Sequence, residues 1–311
     1  LLCPGASCHV FGSTATGLAT KDSDLDVLVV MPNTFAPASL PLHFLPRLAR
    51  QLSLPSESPS EKQHETKSES RSHAAGEYAC SNTILNARIP LTRLVWKAGR
   101  NADAEGINGC SLVGLRCEVS IQDMKNVTKT AILSKIVNAD KRVKPLVGIV
   151  RKWGKARGVS GGTVTSLNSF ALTLLVIHFL QTMSPPILPL FEADSPALAG
   201  KGNTCTKKAV AVGAGSASSK NLGELLVEFY ATFGFVDASR LYKRVSIVCP
   251  AAPKEMCSIP HLGLRIEDPV DRKDNPARNI TFEAIRRLRR EMLRAYLELT
   301  NGGGLTELCA Q

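Results

Sequence analysis

Apolar positions follow two different periods along this chain. In the first part they come in short runs or at alternate positions, the period of strands. Val10-Phe11 ends one run, and Leu25 to Val30 forms a second. Thr83 to Leu91 reads as a β-like stretch, and Cys117-Glu118-Val119-Ser120-Ile121 alternates cleanly. Leu42, Leu45, Leu48 and Leu52 are spaced for a helix over 38–52 behind these strands. From about Asn126 the pattern becomes helical, with segments at Lys144 to Gly158, Ser169 to Thr182, Leu222 to Phe233 and Phe282 to Leu299. In the last, Ile285, Leu288, Met292, Ala295 and Leu299 make an apolar stripe. The expected class is α+β: a mixed sheet with helices over 1–134, a mainly helical domain over 135–311, and a cleft between them.

Polar stretches interrupt this pattern. Pro55 to Ser72 is rich in Ser, Glu and Lys and too poor in apolar residues to offset the entropy of ordering. It predicts a disordered insertion near 55–78. Residues 98–111 read as a loop, and 200–220 as a flexible insertion.

The chemistry concentrates at 11–30, FGSTATGLATKDSDLDVLVV. Strand alternation puts Asp24 and Asp26 on one face, about 7 Å apart, with Leu25 and Val27 on the core face. Two such carboxylates can hold divalent metals. Gly12 lets the backbone approach a ligand closely. Ser13 and its neighbours open a turn whose N–H groups and hydroxyl can grip phosphate. The combination describes a site for a metal-bound nucleoside triphosphate, and its alternative is a solvated loop with an acidic strand edge.

Composition narrows the field. The chain has 311 residues, 44% hydrophobic and 21% charged, which is globular and long enough for two domains. Its longest apolar stretch, Phe170 to Leu180, is too short to cross a bilayer and reads as a buried helix, so no membrane partner is expected. A net charge of +11 favours a polyanion such as RNA, DNA or an anionic membrane, and also fits a merely soluble basic protein; the triphosphate site tips the choice to nucleic acid. The nine cysteines contain no C-x-x-C pair and are odd in number. Neither a zinc site nor a disulfide framework is indicated; reduced thiols in an intracellular compartment are expected, with a Cys249–Cys257 pairing left open. Opening on Leu1, almost within a strand, is what a fragment that has lost a leader would present.

The Gly12-Ser13 turn followed by Asp24-Leu25-Asp26 resembles the signature of the DNA polymerase β-like nucleotidyltransferases. Ala87-Arg88-Ile89-Pro90, Lys144-Pro145-Leu146-Val147 with Val150 to Lys155, Ser166 to Leu174, and Ile266-Glu267-Asp268-Pro269 with Asn275 and Arg278 resemble, in order, motifs of poly(A) polymerases and terminal uridylyltransferases. The similarity runs closest to compact kinetoplastid terminal uridylyltransferases, including those of mitochondrial RNA-editing complexes. That resemblance implies a polymerase β-like palm, a mitochondrial location (otherwise a cytoplasmic one), UTP and a single-stranded RNA 3′ end as substrates, and a protein complex supplying RNA specificity.

It also implies roles. Asp24 and Asp26 would hold Mg²⁺ or Mn²⁺, with Glu118 as third carboxylate where the family has Asp; Asp123 is the nearest substitute. Phe11, Gly12 and Ser13 would line the phosphate pocket. Lys129 and Thr130 fall where relatives contact ribose and base, but differ from them. Arg151 and Lys155 would bind the β- and γ-phosphates, with Ser169 adding a hydrogen bond. Phe170 would stack on the base, or belong to the core. Asp268 and Asp271 would organise water against uracil N3–H, and Asp274 stands where some uridylyltransferases carry His. Arg286, Arg287, Arg289, Arg290 and Arg294 offer either RNA contacts or a solvated face. His178 reads as a satisfied core residue. The rivals are an ATP-using poly(A) polymerase, a catalytically weak RNA-binding scaffold, and nucleotidylation of a small molecule or protein, which fits the first motif but leaves Ile266-Glu267-Asp268-Pro269 unexplained.

Overall fold

The computed structural model describes residues 5–32, 40–52, 77–97, 114–121, 123–161, 166–189, 218–235, 245–247 and 264–310. The chain divides into two compact units, Leu1–Ala131 and Ile132–Gln311.

The first unit is built on a five-stranded sheet. Its strands are β1 (Ser7–Phe11), β2 (Leu25–Val30), β3 (Glu77–Ile84), β4 (Leu91–Lys97) and β5 (Arg116–Ile121). Their order is β1-β2-β5-β4-β3; β2 and β5 are parallel and the other pairs antiparallel. Three helices accompany them: α1 (Gly12–Thr16), α2 (Leu40–Leu52) and α3 (Met124–Val137). Alternation along the strands sorts the two faces. Val29, Cys117, Val119, Ile121 and Leu94 join Leu45 and Leu48 of α2 in one buried cluster, with Leu25 and Val27 packed against it. The opposite face carries Asp26, Glu118 and Arg93.

The ARIP motif does not lie in a strand. The expected strand at Thr83 to Leu91 is a hairpin instead: β3 ends at Ile84, 86–89 bend, and β4 starts at Leu91. Pro90 has no N–H to donate, so ladder pairing breaks before it and resumes after it. β4 itself runs on to Lys97, past the expected segment. Gly12 to Thr16, read as a turn, closes into a short helix ended by Gly17 at φ 73.

In the second unit, α4 (Val143–Ala156), α5 (Ser169–Thr182), α6 (Leu222–Gly234), α7 (Phe282–Thr300) and α8 (Leu305–Cys309) pack around an aromatic centre. Trp153 meets Tyr230 edge-on at 4.8 Å, and Phe229 meets Phe179 at 5.7 Å. From Ala171 to Ile177 every α5 residue is buried, which explains its unbroken apolar run. Asn168, Asn221 and Thr281 cap α5, α6 and α7. His178 is a satisfied core residue, donating from Nδ1 to the Ser246 carbonyl at 3.0 Å, and burial lowers its pKa.

The α7 arginines are largely structural. Arg287 donates to the Arg157 carbonyl, Arg289 to that of Gly234 and Arg294 to that of Leu308. Arg286 stacks on Phe282, 4.6 Å from the ring centroid. Most of the expected loop and insertions lies outside the described residues. Of the 55–78 insertion, Glu77 and Tyr78 belong to β3, and of 200–220, Ser218 and Lys220 give their carbonyls to Arg142. Among the described residues no helix is long and apolar enough to cross a membrane.

Gly154 allows α4 and α5 to approach closely. A Cβ there would lie 2.7 Å from Leu172 Cδ1 and 3.1 Å from Ser160 Cβ. Gly154→Ala is therefore expected to destabilise the fold by about 1–3 kcal/mol through overpacking. Thermal unfolding of the variant checks this; an unchanged midpoint would mean that the contact relaxes freely.

Candidate active site

Three carboxylates meet at the centre of the first sheet. Parallel pairing sets Asp26 directly beside Glu118, and Asp24 lies on the same face just before β2. On one flank, antiparallel pairing puts Phe11 beside Asp26 and leads into the Gly12-Ser13 turn. On the other, β4 puts Arg93 beside Glu118.

Gly12 is required by geometry. Its φ is +71, and a Cβ would run into the Asp26 carboxylate. The turn is fastened from behind by Thr130 on α3. Thr130 Oγ1 accepts from Gly12 N–H at 2.9 Å and donates to the Asn126 carbonyl at 2.8 Å. Thr16 Oγ1 ties the turn again, donating to the Gly12 and Ser13 carbonyls. The buried Thr130 hydroxyl therefore holds the Gly12-Ser13 turn in shape, a task that sequence reasoning did not assign to it. Lys129 beside it is half-buried, and Ser13 and Phe11 are half-exposed at the turn.

The electrostatics are strained. Burial first, then Glu118 and Asp24, raise the Asp26 pKa to about 7. Burial, with Asp26 as the largest charge contribution, pushes the Cys117 thiol up to about 11, so it is an inert thiol. Two arginines, not anticipated from sequence, offset part of the charge. Arg116 Nε donates to Asp24 at 2.5 Å, and Arg93 Nε to Glu118 at 2.6 Å. With these pairs in place, no group of three or more His, Cys, Asp or Glu among the described residues is arranged to hold a metal ion. The donor set nevertheless fits a hard divalent cation. It is all oxygen, it is carried on two paired strands, and Asp26 is left with its charge poorly compensated. Asp123, the possible substitute for Glu118, lies past β5 and uses its carboxylate to cap the Lys125 N–H.

The second unit holds the other expected residues. Arg151 and Lys155 sit one turn apart on α4; Arg151 is half-buried, which lowers its pKa, and Lys155 is exposed. Ser169 and Phe170 open α5. Phe170 stays half-buried where the following seven residues are buried. Asn168, read from sequence only as part of a motif, bonds the Pro276 carbonyl at 3.0 Å and brings this end of α5 to the loop 264–281. Within that loop Asp268 is fully buried, and its Oδ1 accepts from the Val270 and Asp271 N–H groups. Asp268 thus shapes the loop, while Asp271 remains half-exposed. Asp274 pairs with Arg278 at 2.9 Å, and Asn275 ties Ile266, Ala277 and Leu264 together.

Residues 2–66 match the family of nucleotidyltransferase domains. Protein HESO1 of Arabidopsis thaliana is 26% identical over 91% of this chain and 54% of its own length. Poly(A) RNA polymerase cid11 of Schizosaccharomyces pombe is 25% identical over 96% of this chain and 55% of its own. Speckle targeted PIP5K1A-regulated poly(A) polymerase of Mus musculus is 32% identical over 56% of this chain and 22% of its own. The chain thus spans between about a fifth and about half the length of these relatives. A solved structure of the Cid1 poly(U) polymerase superposes with a TM-score of 0.70 at 23% identity, covering 97% of this chain and 84% of that one. The Gly-Ser turn, Asp24 and Asp26 all lie inside the segment that matches the nucleotidyltransferase-domain model, and the chain carries the same fold as that polymerase.

Proposed function

We propose that this chain is the catalytic part of a template-independent RNA nucleotidyltransferase that adds UMP from UTP to RNA 3′ ends. The observation that carries this reading is the carboxylate centre, with Asp26 between the Gly12 turn and Glu118 and its pKa raised to about 7. In the reaction the RNA 3′-oxygen bonds to the α-phosphorus of UTP, the bond to the β-phosphate oxygen breaks, and diphosphate leaves. Asp24, Asp26 and Glu118 would hold Mg²⁺ or Mn²⁺, which supplies charge neutralisation and activation of the 3′-hydroxyl when bound. Gly12 admits the triphosphate close to the backbone, Thr130 keeps the turn rigid, and Phe11 and Ser13 line it. Arg151, Lys155 and Ser169 are assigned to the phosphates and Phe170 to the base by motif resemblance, supported by the exposure of Lys155 and the half-buried state of Phe170.

Base choice rests on the 264–281 loop. Asp271 is its half-exposed carboxylate, assigned by motif resemblance to organise water against uracil N3–H, with Asp268 acting behind it through the loop backbone. Relatives named poly(A) polymerases favour a second reading, in which ATP is the substrate. The scaffold reading draws on Arg116 and Arg93 occupying Asp24 and Glu118. The finer setting, a kinetoplastid-type enzyme working with a protein complex in the mitochondrial editing of RNA, rests on motif resemblance alone; localisation of the tagged full-length protein tests it.

A 3′-extension assay on short single-stranded RNA, with each NTP supplied separately and Mg²⁺ present, separates the readings. Extension with UTP supports this proposal, preference for ATP replaces it with the second, and no extension leaves the scaffold. Thr130→Val, which strands the Gly12 N–H, is expected to lower kcat about tenfold while leaving the fold intact. A variant with wild-type kcat would show that the turn holds its shape without this bond.

A further inference from the structure

The carboxylate centre has two unlike flanks. Toward β1 lies the Gly12-Ser13 turn. Toward β4 and β3 lies a cavity of about 220 Å³, lined by Asp24, Glu118, Arg93, Arg116, Ser81 and Val95 among others. Its size is below the roughly 300–1,000 Å³ usual for small-molecule pockets, so it suits one phosphodiester group better than a whole nucleoside triphosphate. Its chemistry is cationic and hydrogen-bonding on the wall away from the carboxylates. Both guanidinium side chains are about half exposed, at 51% for Arg93 and 57% for Arg116.

The geometry points to Arg93 and Arg116 as the anchor for a backbone phosphate of the RNA acceptor, at its 3′-terminal nucleotide. This rests on the nucleotidyltransferase reading of the same centre. A two-substrate site must deliver a triphosphate and an acceptor hydroxyl to the same carboxylates from different sides. The glycine turn serves one side. The arginines stand on the other, on strands β4 and β5, within reach of a phosphate whose sugar hydroxyl points at Asp24, Asp26 and Glu118. In the structure Arg93 is paired with Glu118, and Arg116 with Asp24 and, at 2.7 Å, with the Asp22 carbonyl. Divalent cations taking over Asp24 and Glu118 would free the Arg93 fork and the Nε of Arg116, whose other arm stays on the Asp22 carbonyl, and a planar fork binds a phosphate bidentately. Cation loading and acceptor binding are thus coupled through the arginines: the site grips RNA when the carboxylates are neutralised by metal.

The test uses the whole chain as wild type, the double variant Arg93→Gln/Arg116→Gln and the double variant Arg93→Lys/Arg116→Lys. Fluorescence anisotropy measures the Kd of a 5′-labelled short oligouridylate with and without Ca²⁺, which permits binding without turnover, over a salt series. Calorimetry measures UTP binding separately. The expected result is an oligonucleotide Kd at least about tenfold weaker for the Gln pair in Ca²⁺. Its salt dependence should be shallower by about one unit of slope per lost contact, with UTP affinity unchanged. The Lys pair, which keeps the charge and loses the fork, should fall between. An unchanged oligonucleotide Kd for the Gln pair, in a wild type that extends RNA, overturns the anchor and leaves the enzyme reading standing. Loss of UTP affinity instead overturns it by giving the arginines to the triphosphate. A wild type that neither binds nor extends RNA removes the enzyme reading and the anchor with it.

Discussion

Asp26→Asn should lower nucleotidyl transfer by about 10³-fold or more, because it strips the negative charge from the carboxylate proposed to hold the divalent cations. The same substitution should stabilise the metal-free fold at neutral pH, and the sign follows from linkage. In the folded protein Asp26 titrates at about 7 instead of 3.8, raised by burial and by the charges of Glu118 and Asp24. Between about pH 4 and pH 7 the folded state therefore keeps a proton that the unfolded chain has released. Wild-type stability falls as pH rises through that window and is level above it. Asn carries no charge, so the gain of Asp26→Asn over wild type should be absent below pH 4 and complete above pH 7. Adding Mg²⁺ should stabilise wild type at pH 8 and barely touch the variant, since only an intact site binds the ion. Thermal unfolding at pH 5 and pH 8, with and without Mg²⁺, reads all of these; equal midpoints for both proteins at pH 8 would contradict the placement of Asp26 in a buried acidic centre.

Gly12→Ala should be nearly as damaging for a different reason. The residue sits at φ +71, a region that costs an L residue about 1–2 kcal/mol, and its new methyl would occupy the place of the Asp26 carboxylate. Either the turn or the carboxylate must move. A displacement of about 1 Å at a reacting centre is enough to cost about 10²-fold in rate. The loss should appear in kcat, with a modest fall in the unfolding midpoint. Near-wild-type kcat would show that the turn has room that the structure denies it.

Much of this was readable from the residues, and the failures have physical causes. β2 and β5 announced themselves because one face of each is buried, so apolar and polar positions alternate. α5 was delimited correctly from Ser169 to Thr182, since its apolar run is bounded by a capping Asn168 and ends before Ser184-Pro185. The ARIP stretch misled because Ile84, Leu85, Ile89 and Leu91 look like one strand, while a single Pro90 turns it into a hairpin corner. Asp24, Asp26 and Gly12 were visible because their spacing is local. Arg93 and Arg116 were not, for they reach the carboxylates only through sheet pairing, and pairing partners leave no mark on the order of the chain. Thr130 was placed near the substrate, but the direction of its hydroxyl toward Gly12 is set across 118 residues of sequence. Asp268, expected to organise water against the base, is buried within a loop whose internal hydrogen bonds no periodicity encodes.

The most direct measurement is 3′-extension of a short single-stranded RNA by wild type and Asp26→Asn side by side, in UTP and Mg²⁺. The wild type should add uridylates steadily and the variant none, with both proteins folded. Extension by the variant at the wild-type rate would contradict the carboxylate centre as the seat of the chemistry.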